Sequence, residues 1–156
     1  MIAMDTVQDF EDLLQLFEDG GVRYLIIGGL AFIYHAKPRY TKDMDLWVEF
    51  TAENVARANS ALSEFGSPGM LSFDKDDEVL QLGFAPNRID LFLRIVGIRF
   101  CDAWDNRVQG TYGKVRANWM GLETLLEVKS GIDKPKHQDD ARVLRAVKAM
   151  KASREE

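Results

Sequence analysis

The chain has 156 residues, of which 46% are hydrophobic and 29% are charged, the composition of a globular protein long enough to bury a substantial core. Its net charge of −5 argues against a general nucleic-acid coating protein, and its apolar runs are too short to span a bilayer. A single cysteine, Cys101, excludes an intramolecular disulfide and fits a reducing compartment, so we expect a cytoplasmic protein. No basic region followed by an apolar stretch opens the chain, so we expect no secretory signal and no membrane partner.

The hydrophobic pattern at the start of the chain predicts a helix, a strand and a second helix in succession. Thr6 occupies the place of a helix cap, and Gly20-Gly21 ends the helix. The β-branched run 22–27 predicts a buried strand, and residues 30–36 predict a short helix after a break at Gly28-Gly29. The first helix has an apolar stripe formed by Val7, Phe10, Leu13, Leu14 and Phe17.

The rest of the chain continues the alternation of strands and helices. In order, the pattern predicts a strand at 44–49, a helix capped by Thr51 and closed by Gly66, strands at 78–84 and 88–95 joined by a turn at 85–87, a short helix at 100–105, a hairpin over 108–117 that turns at Tyr112-Gly113, and helices at 122–130 and 138–151. We therefore predict one α/β (α+β) domain over 1–156, with a mixed sheet flanked by helices. Its core is about 1–96, and a hairpin and helices fill about 97–156.

Two carboxylates stand close together at the start of the second predicted strand. Because strand side chains alternate, Asp43 and Asp45 point to one side while Met44 points to the core. Neighbouring carboxylates repel each other unless a cation lies between them, and their oxygen atoms suit magnesium. Such a pair also occurs in ordinary acidic turns, so it does not identify a metal site by itself.

Two further features of the sequence favour a phosphate and metal site. Gly28-Gly29, thirteen residues before Asp43, joins a strand to a helix, where phosphate can approach the backbone. An ordinary tight turn is the alternative. Asp90 interrupts an apolar strand, where a carboxylate is costly unless it is paired or bound to metal. Arg94, on the same face four residues later, is the alternative partner.

Residues 24–31, 35–48 and 88–91 closely resemble the small nucleotidyltransferases of the polymerase-beta-like superfamily. The similarity continues through 125–129 and 134–140, so that it covers roughly residues 22–147. The AbiEii-like and minimal nucleotidyltransferase groups, many of them encoded in toxin–antitoxin pairs, are the most similar. The resemblance implies a nucleotidyltransferase-type mixed sheet with a helical C-terminal segment.

The resemblance also implies the roles of the site residues. The catalytic and metal-binding residues would be Asp43, Asp45 and Asp90, holding two Mg²⁺ ions, with Mn²⁺ as a substitute. The nucleotide-binding residues would be Gly28, Gly29, Arg39, Thr41 and Lys129, of which Lys129 is alternatively a solvated helical lysine. The chain departs from the family where many relatives have Gly-Ser in place of Gly28-Gly29. His137-Gln138 also intervenes before Asp139, which leaves the roles of Lys136 and Asp139 open.

The leading hypothesis is a magnesium-dependent nucleotidyltransferase that transfers a nucleoside monophosphate from a nucleoside triphosphate to a protein or RNA hydroxyl. It would belong to a toxin–antitoxin pair and bind a cognate toxin or antitoxin. The alternatives are a catalytically silent antitoxin or binding protein that keeps the fold, and a small-molecule nucleotidyltransferase that modifies antibiotics. A sugar-nucleotide glycosyltransferase also uses Asp-x-Asp, but this chain is short for one. The nucleotide, the acceptor and the oligomeric state stay open.

Overall fold

Helices and strands alternate along the described residues of the computed structural model, which are 4, 6–41, 43–84 and 86–155. The helices are α1 (Gln8–Asp19), α2 (Gly28–His35), α3 (Ala52–Phe65), α4 (Phe100–Asp105), α5 (Leu122–Ser130) and α6 (Pro135–Glu155). The strands are β1 (Tyr24–Ile27), β2 (Met44–Val48), β3 (Val79–Leu82), β4 (Ile89–Phe92), β5 (Val108–Tyr112) and β6 (Val115–Trp119).

One mixed sheet contains these six strands in the order β3-β4-β2-β1-β6-β5, which confirms the predicted fold class. Strand β2 is antiparallel to β1 and parallel to β4, while β1 is parallel to β6. The β5–β6 hairpin, which the sequence groups with the C-terminal segment, therefore completes the sheet beside β1. The register of β2 and β4 places Asp45 directly opposite Asp90.

Two groups of helices cover the sheet and bury its apolar residues. Helix α1 packs against α3, and helix α2 contacts α5 and α6. All four residues of β1 are buried, as predicted. The predicted apolar stripe of α1 is buried at Phe10, Leu13, Leu14 and Phe17. None of the described helices is long and apolar enough to cross a membrane.

Several helix ends differ from the sequence expectation for identifiable reasons. The cap at Thr6 is wrong, because α1 begins after Val7 with no side-chain cap. The backbone N–H of Val7 instead donates to Tyr112 Oη at 2.9 Å, a contact that no local pattern reveals. Helix α6 begins at Pro135, three residues earlier than expected, since proline is favoured in the first turn of a helix.

The predicted turns and caps agree better with the structure. Thr51 caps α3 by accepting from the Asn54 N–H at 3.2 Å, and Gly66 ends it at φ +91°. The hairpin turns one residue later than predicted, because Tyr112 still pairs with Val115. Strands β3 and β4 are antiparallel neighbours as predicted. Residue 85 of their connecting turn lies outside the described residues, as does Lys42 of the stretch that resembles the nucleotidyltransferases.

Candidate active site

The three predicted aspartates come together at one end of the sheet. Asp45 on β2 and Asp90 on β4 are in-register neighbours, and Asp43 directly precedes β2. Met44 between the two β2 carboxylates is fully buried, so the predicted alternation holds. Asp90 is only 6% exposed, whereas the Asp43 side chain is 26% exposed. A pair of neighbouring strands thus places three carboxylates side by side.

Arg88 is the direct partner of two of these carboxylates. Its Nε and Nη2 atoms donate to the two oxygens of Asp90 at 2.8 and 3.0 Å. Its Nη2 also lies 3.3 Å from Asp43 Oδ2, and its backbone N–H donates to Asp43 Oδ1 at 3.3 Å. The alternative that Arg94 would pair with Asp90 is wrong, because Arg88 takes that place and Arg94 is exposed. Strand alternation could have identified Arg88, which is two residues from Asp90 on the same face.

Asp45 lies in an environment that opposes its ionisation. Burial raises the pKa of Asp45 to about 6, and the charges of Asp90 and Asp43 act in the same direction. The positive charges of Arg88 and Lys129 lower this pKa, but not enough to restore its usual value. An additional cation at this place would therefore relieve an unfavourable concentration of negative charge.

The oxygen donors of the three aspartates suit magnesium, but their present arrangement is closed by Arg88. Within the described ranges, no group of three or more histidine, cysteine, aspartate or glutamate side chains is set out to hold a metal ion. The guanidinium of Arg88 lies on Asp43 and Asp90 instead. The residues therefore fit the metal in chemistry and number, provided that Arg88 moves.

The glycine pair allows the start of α2 to approach the site closely. Gly28 has φ +66°, and a Cβ atom there would collide with Oδ2 of Asp45. A Cβ atom at Gly29 would lie 2.8 Å from Oγ1 of Thr41. Both glycines belong to the first turn of α2, which lacks a side-chain cap, rather than to a break before it. The absence of two side chains thus brings the first amides of a helix beside a carboxylate and a hydroxyl.

Lys129 is buried in an ion-pair cluster, so the alternative of a solvated lysine is wrong. Its side chain is 8% exposed, and its Nζ lies 3.0 Å from Asp140 Oδ2 and 3.1 Å from His137 Nδ1. The other oxygen of Asp140 accepts from Arg39 Nη2 at 2.5 Å. The Arg39 guanidinium also lies 3.7 Å from the centre of the Phe32 ring. The cluster therefore joins the loop after α2 to both C-terminal helices.

Asp140, rather than Asp139, is the buried aspartate of the closing segment. Burial alone would raise the pKa of Asp140, but hydrogen bonds from Arg39 and Lys129 lower it below its usual value. Asp139 is exposed and pairs with Arg142 on the surface of α6. Helical spacing could have found Asp140, because it lies four residues before Leu144 on the buried face.

Two cavities divide the predicted nucleotide-binding residues. A cavity of about 260 Å³ borders Asp45, Gly28 and Lys129, and its other walls are mainly apolar. A second cavity, of about 390 Å³, borders Arg39 and Thr41 on the side of α1. His35 takes no part in either, because it is buried with its Nε2 atom 2.7 Å from the Met120 carbonyl oxygen. The buried Trp47 packs edge-on against Phe100 in the middle of the sheet.

Known proteins resemble this chain in fold and not in sequence. No protein-family model matches the chain, and no curated protein matches its sequence. The lincosamide antibiotic adenylyltransferase LnuA, solved with lincomycin bound, matches 91% of this chain and 98% of its own, with a TM-score of 0.59 and 16% identity.

Two structures of the antibiotic-resistance factor ANT(2'')-Ia are similar as well. Its solution structure matches 94% of this chain and 91% of its own, with a TM-score of 0.60 and 15% identity. Its crystal structure with adenylyl-2''-tobramycin matches 97% of this chain and 100% of its own, with a TM-score of 0.55 and 17% identity. The chain therefore has a fold similar to that of nucleotidyltransferases, which confirms the fold that its sequence predicts.

Proposed function

We propose that the protein is a magnesium-dependent nucleotidyltransferase that transfers a nucleoside monophosphate from a nucleoside triphosphate to a hydroxyl group. The observation that carries this proposal is the in-register pairing of Asp45 with Asp90, with Asp43 beside them. The glycine-initiated helix α2 adjoins Asp45, so a triphosphate and its metal would meet at one place. The fold shared with an adenylyltransferase supports the same chemistry.

In this mechanism Asp43, Asp45 and Asp90 would hold the metal, and Asp90 would lie next to the acceptor hydroxyl. Bound magnesium would supply charge neutralisation for the triphosphate and the leaving pyrophosphate, and would make the acceptor hydroxyl more acidic. A carboxylate oxygen of Asp90 accepts the proton of that hydroxyl. The hydroxyl oxygen forms a bond to the α-phosphorus as the bond from phosphorus to the pyrophosphate oxygen breaks.

The remaining residues bind the nucleotide. The first amides of α2, at Gly28 and Gly29, would donate to phosphate oxygens, because neither residue has a side chain of its own to cover the backbone. Lys129 borders the cavity next to Asp45 and adds positive charge there. Arg39 and Thr41 border the second cavity and would contact a more distant part of the nucleotide.

The resemblance of the sequence to toxin–antitoxin nucleotidyltransferases favours a protein or RNA acceptor. A small-molecule acceptor is the second candidate, and two observations favour it. Two of the similar structures, LnuA and ANT(2'')-Ia, are antibiotic-modifying or antibiotic-resistance proteins. The cavity of about 260 Å³ beside Asp45 is small and mainly apolar, which suits part of a small molecule.

A transfer assay tests the proposal and separates the two acceptor classes. Each nucleoside triphosphate, labelled at the α-phosphate, is incubated with magnesium and either total RNA and protein or a panel of lincosamides and aminoglycosides. Asp43→Asn and Asp45→Asn should each lower the rate on the order of a hundredfold or more, because each removes a metal ligand. Both variants should fold. The stability of Asp45→Asn without metal should hold or rise as repulsion is relieved, whereas Asp43→Asn also loses its ion pair with Arg88.

Asp139→Asn is the matched control, since this exposed aspartate pairs only with Arg142 on α6 and should keep full activity. Magnesium with a nucleoside triphosphate at a hundredfold over its dissociation constant should also stabilise the protein by about 2.7 kcal/mol. Transfer that survives Asp45→Asn, or the absence of both transfer and stabilisation with every triphosphate, would contradict the proposed function.

A further inference from the structure

The guanidinium of Arg88 lies where the proposed metal would bind. It makes two hydrogen bonds to Asp90 and an ion pair to Asp43, so a single cationic side chain spans two of the three carboxylates. We infer that Arg88 is a positioning residue that competes with the divalent cation for Asp43 and Asp90 and so sets the metal affinity of the site. This inference rests on the proposed function, because it concerns the metal of the same site.

The Arg88 side chain is more exposed than the carboxylate of Asp90 that it contacts, so it has more room to move. Arginine stays charged at all relevant pH values, so it cannot free the carboxylates by losing a proton. Its side chain is 31% exposed, whereas that of Asp90 is 8% exposed and fixed on a strand inside the sheet. When a divalent cation approaches, Arg88 is therefore the group that moves toward solvent and Asp90 is the group that stays.

Asp45 is the carboxylate at which displacement of the Arg88 guanidinium by a cation would begin. Within the described part of the chain, Asp45 makes no ion pair, while Asp43 and Asp90 both contact Arg88. A cation that first contacts Asp45 lies next to Asp90, because the two residues are in register on parallel strands. The oxygens of Asp90 and Asp43, which now contact the guanidinium, would bind the cation in its place.

Removing the competitor should strengthen metal binding. Arg88→Met keeps the length and the apolar stem of the side chain but removes its charge and its donors. We expect the variant to bind Mn²⁺ at least about tenfold more tightly, because even one of the charge-assisted contacts that no longer have to be broken is worth that much. Arg88→Lys, which keeps the charge without the two-pronged geometry, should have an intermediate affinity.

The experiment is a titration of the full-length protein with Mn²⁺ alone, in which electron paramagnetic resonance measures the free ion. Arg94→Met is the matched control, because Arg94 follows shortly after β4 and is exposed. Tighter binding by Arg88→Met, with Arg94→Met equal to the wild type, supports the inference. Equal or weaker binding by Arg88→Met overturns it, while the proposed metal site stands if Asp45→Asn removes the binding.

If neither the wild type nor any variant binds Mn²⁺, the proposed metal site fails and the inference fails with it. The wild-type protein also allows a test that does not depend on the folding of a variant. In ¹⁵N,¹³C-labelled wild-type protein, the Arg88 Nε–Hε signal, assigned through its bonds to the Arg88 backbone, should shift toward the position of a solvated arginine as Mg²⁺ saturates the site. A signal that keeps its position at saturation overturns the inference.

Discussion

Two charged clusters, which each contribute one residue to the wall of the same cavity, carry opposite excess charge. The carboxylate cluster consists of Asp43, Asp45, Asp90 and Arg88, and the ion-pair cluster consists of Arg39, Lys129 and Asp140. Three acids face one base in the first, and two bases face one acid in the second. Each cluster therefore carries an excess of charge, negative in one and positive in the other.

The half-buried Asp45 and the buried Asp140 express this difference most clearly. The pKa of Asp45 is raised to about 6 by burial and by neighbouring carboxylates, while the pKa of Asp140 is lowered by its hydrogen bonds with Arg39 and Lys129. Asp140 is a stabilising residue whose charge is matched within the protein. The charge of Asp45 is unmatched, as expected of a residue whose partner is a ligand. In the proposed function, one cluster holds the metal and the other attracts phosphate.

The largest expected effect comes from breaking the ion-pair cluster. Asp140→Asn would leave the buried charge of Lys129 and the guanidinium of Arg39 without their acidic partner. We expect the free energy of unfolding to fall by about 3–5 kcal/mol, the usual cost of removing one member of a buried ion pair. Urea denaturation without metal measures this loss.

Asp139→Asn is the control at the neighbouring position, where the ion pair with Arg142 is exposed. It should change the stability by no more than about 1 kcal/mol. Equal stability changes for Asp139→Asn and Asp140→Asn would mean that the ion-pair cluster contributes no more than a surface pair.

A smaller loss of stability is expected for a substitution at Gly28, whose backbone lies against the Asp45 carboxylate. Gly28→Ala places a side chain at φ +66° and against Oδ2 of Asp45, so it should cost about 1–3 kcal/mol and weaken Mn²⁺ binding by displacing this carboxylate. Gly97→Ala is the control, since Gly97 has φ +83° but open space around it. Gly97→Ala should show the backbone strain alone, with unchanged Mn²⁺ binding. Unchanged Mn²⁺ binding in both variants would mean that Gly28 does not position the Asp45 carboxylate for metal binding.

The smallest effect is a difference in pH dependence between the two aspartates. Because its folded-state pKa is raised to about 6, Asp45 retains its proton in the folded protein where the unfolded chain has lost it. Its contribution to stability therefore falls as pH rises from about 4 to about 6. Asp140, with a lowered pKa, contributes stability above the unfolded pKa that is lost as pH falls through the folded pKa.

Urea denaturation between pH 3 and pH 8, without divalent ions, checks both signs. Relative to the wild type, Asp45→Asn should gain stability between pH 4 and pH 6. The deficit of Asp140→Asn should instead shrink as the pH falls below about 4. A constant difference between Asp45→Asn and the wild type over that range would mean that the carboxylate cluster does not perturb Asp45.

Local sequence patterns predict the carboxylate cluster well because strand alternation and neighbouring strands position it. The same alternation also points to Arg88, two residues before Asp90, whereas the sequence-based hypothesis includes only Arg94 as an alternative partner. The ion-pair cluster could not be predicted in this way, because Arg39 and Asp140 are 101 residues apart and meet only through the packing of α2 with α6. The start of α1 is set by an equally distant contact, between Val7 and Tyr112.

Other sequence predictions concern properties that a fold does not decide. The single domain, the metal, the role of each site residue, the cytoplasmic location, the AbiEii-like grouping and the toxin–antitoxin partner stay predictions. The fold is shared with proteins that are only 15% and 16% identical to this chain, and the acceptor depends on surfaces and loops that vary within one fold.

The parallel pairing of β1 with β6 has a consequence for the order in which the protein can fold. Ile26 of β1 lies opposite Trp119 of β6, and the Ile26 carbonyl oxygen accepts from the Met120 N–H at 3.0 Å. During synthesis, β1 and β2 emerge long before β6, so the nascent sheet carries an open edge at β1. Contacts between such distant segments slow folding, and open edges invite pairing with other chains. The C-terminal hairpin thus protects the strand that leads into Gly28.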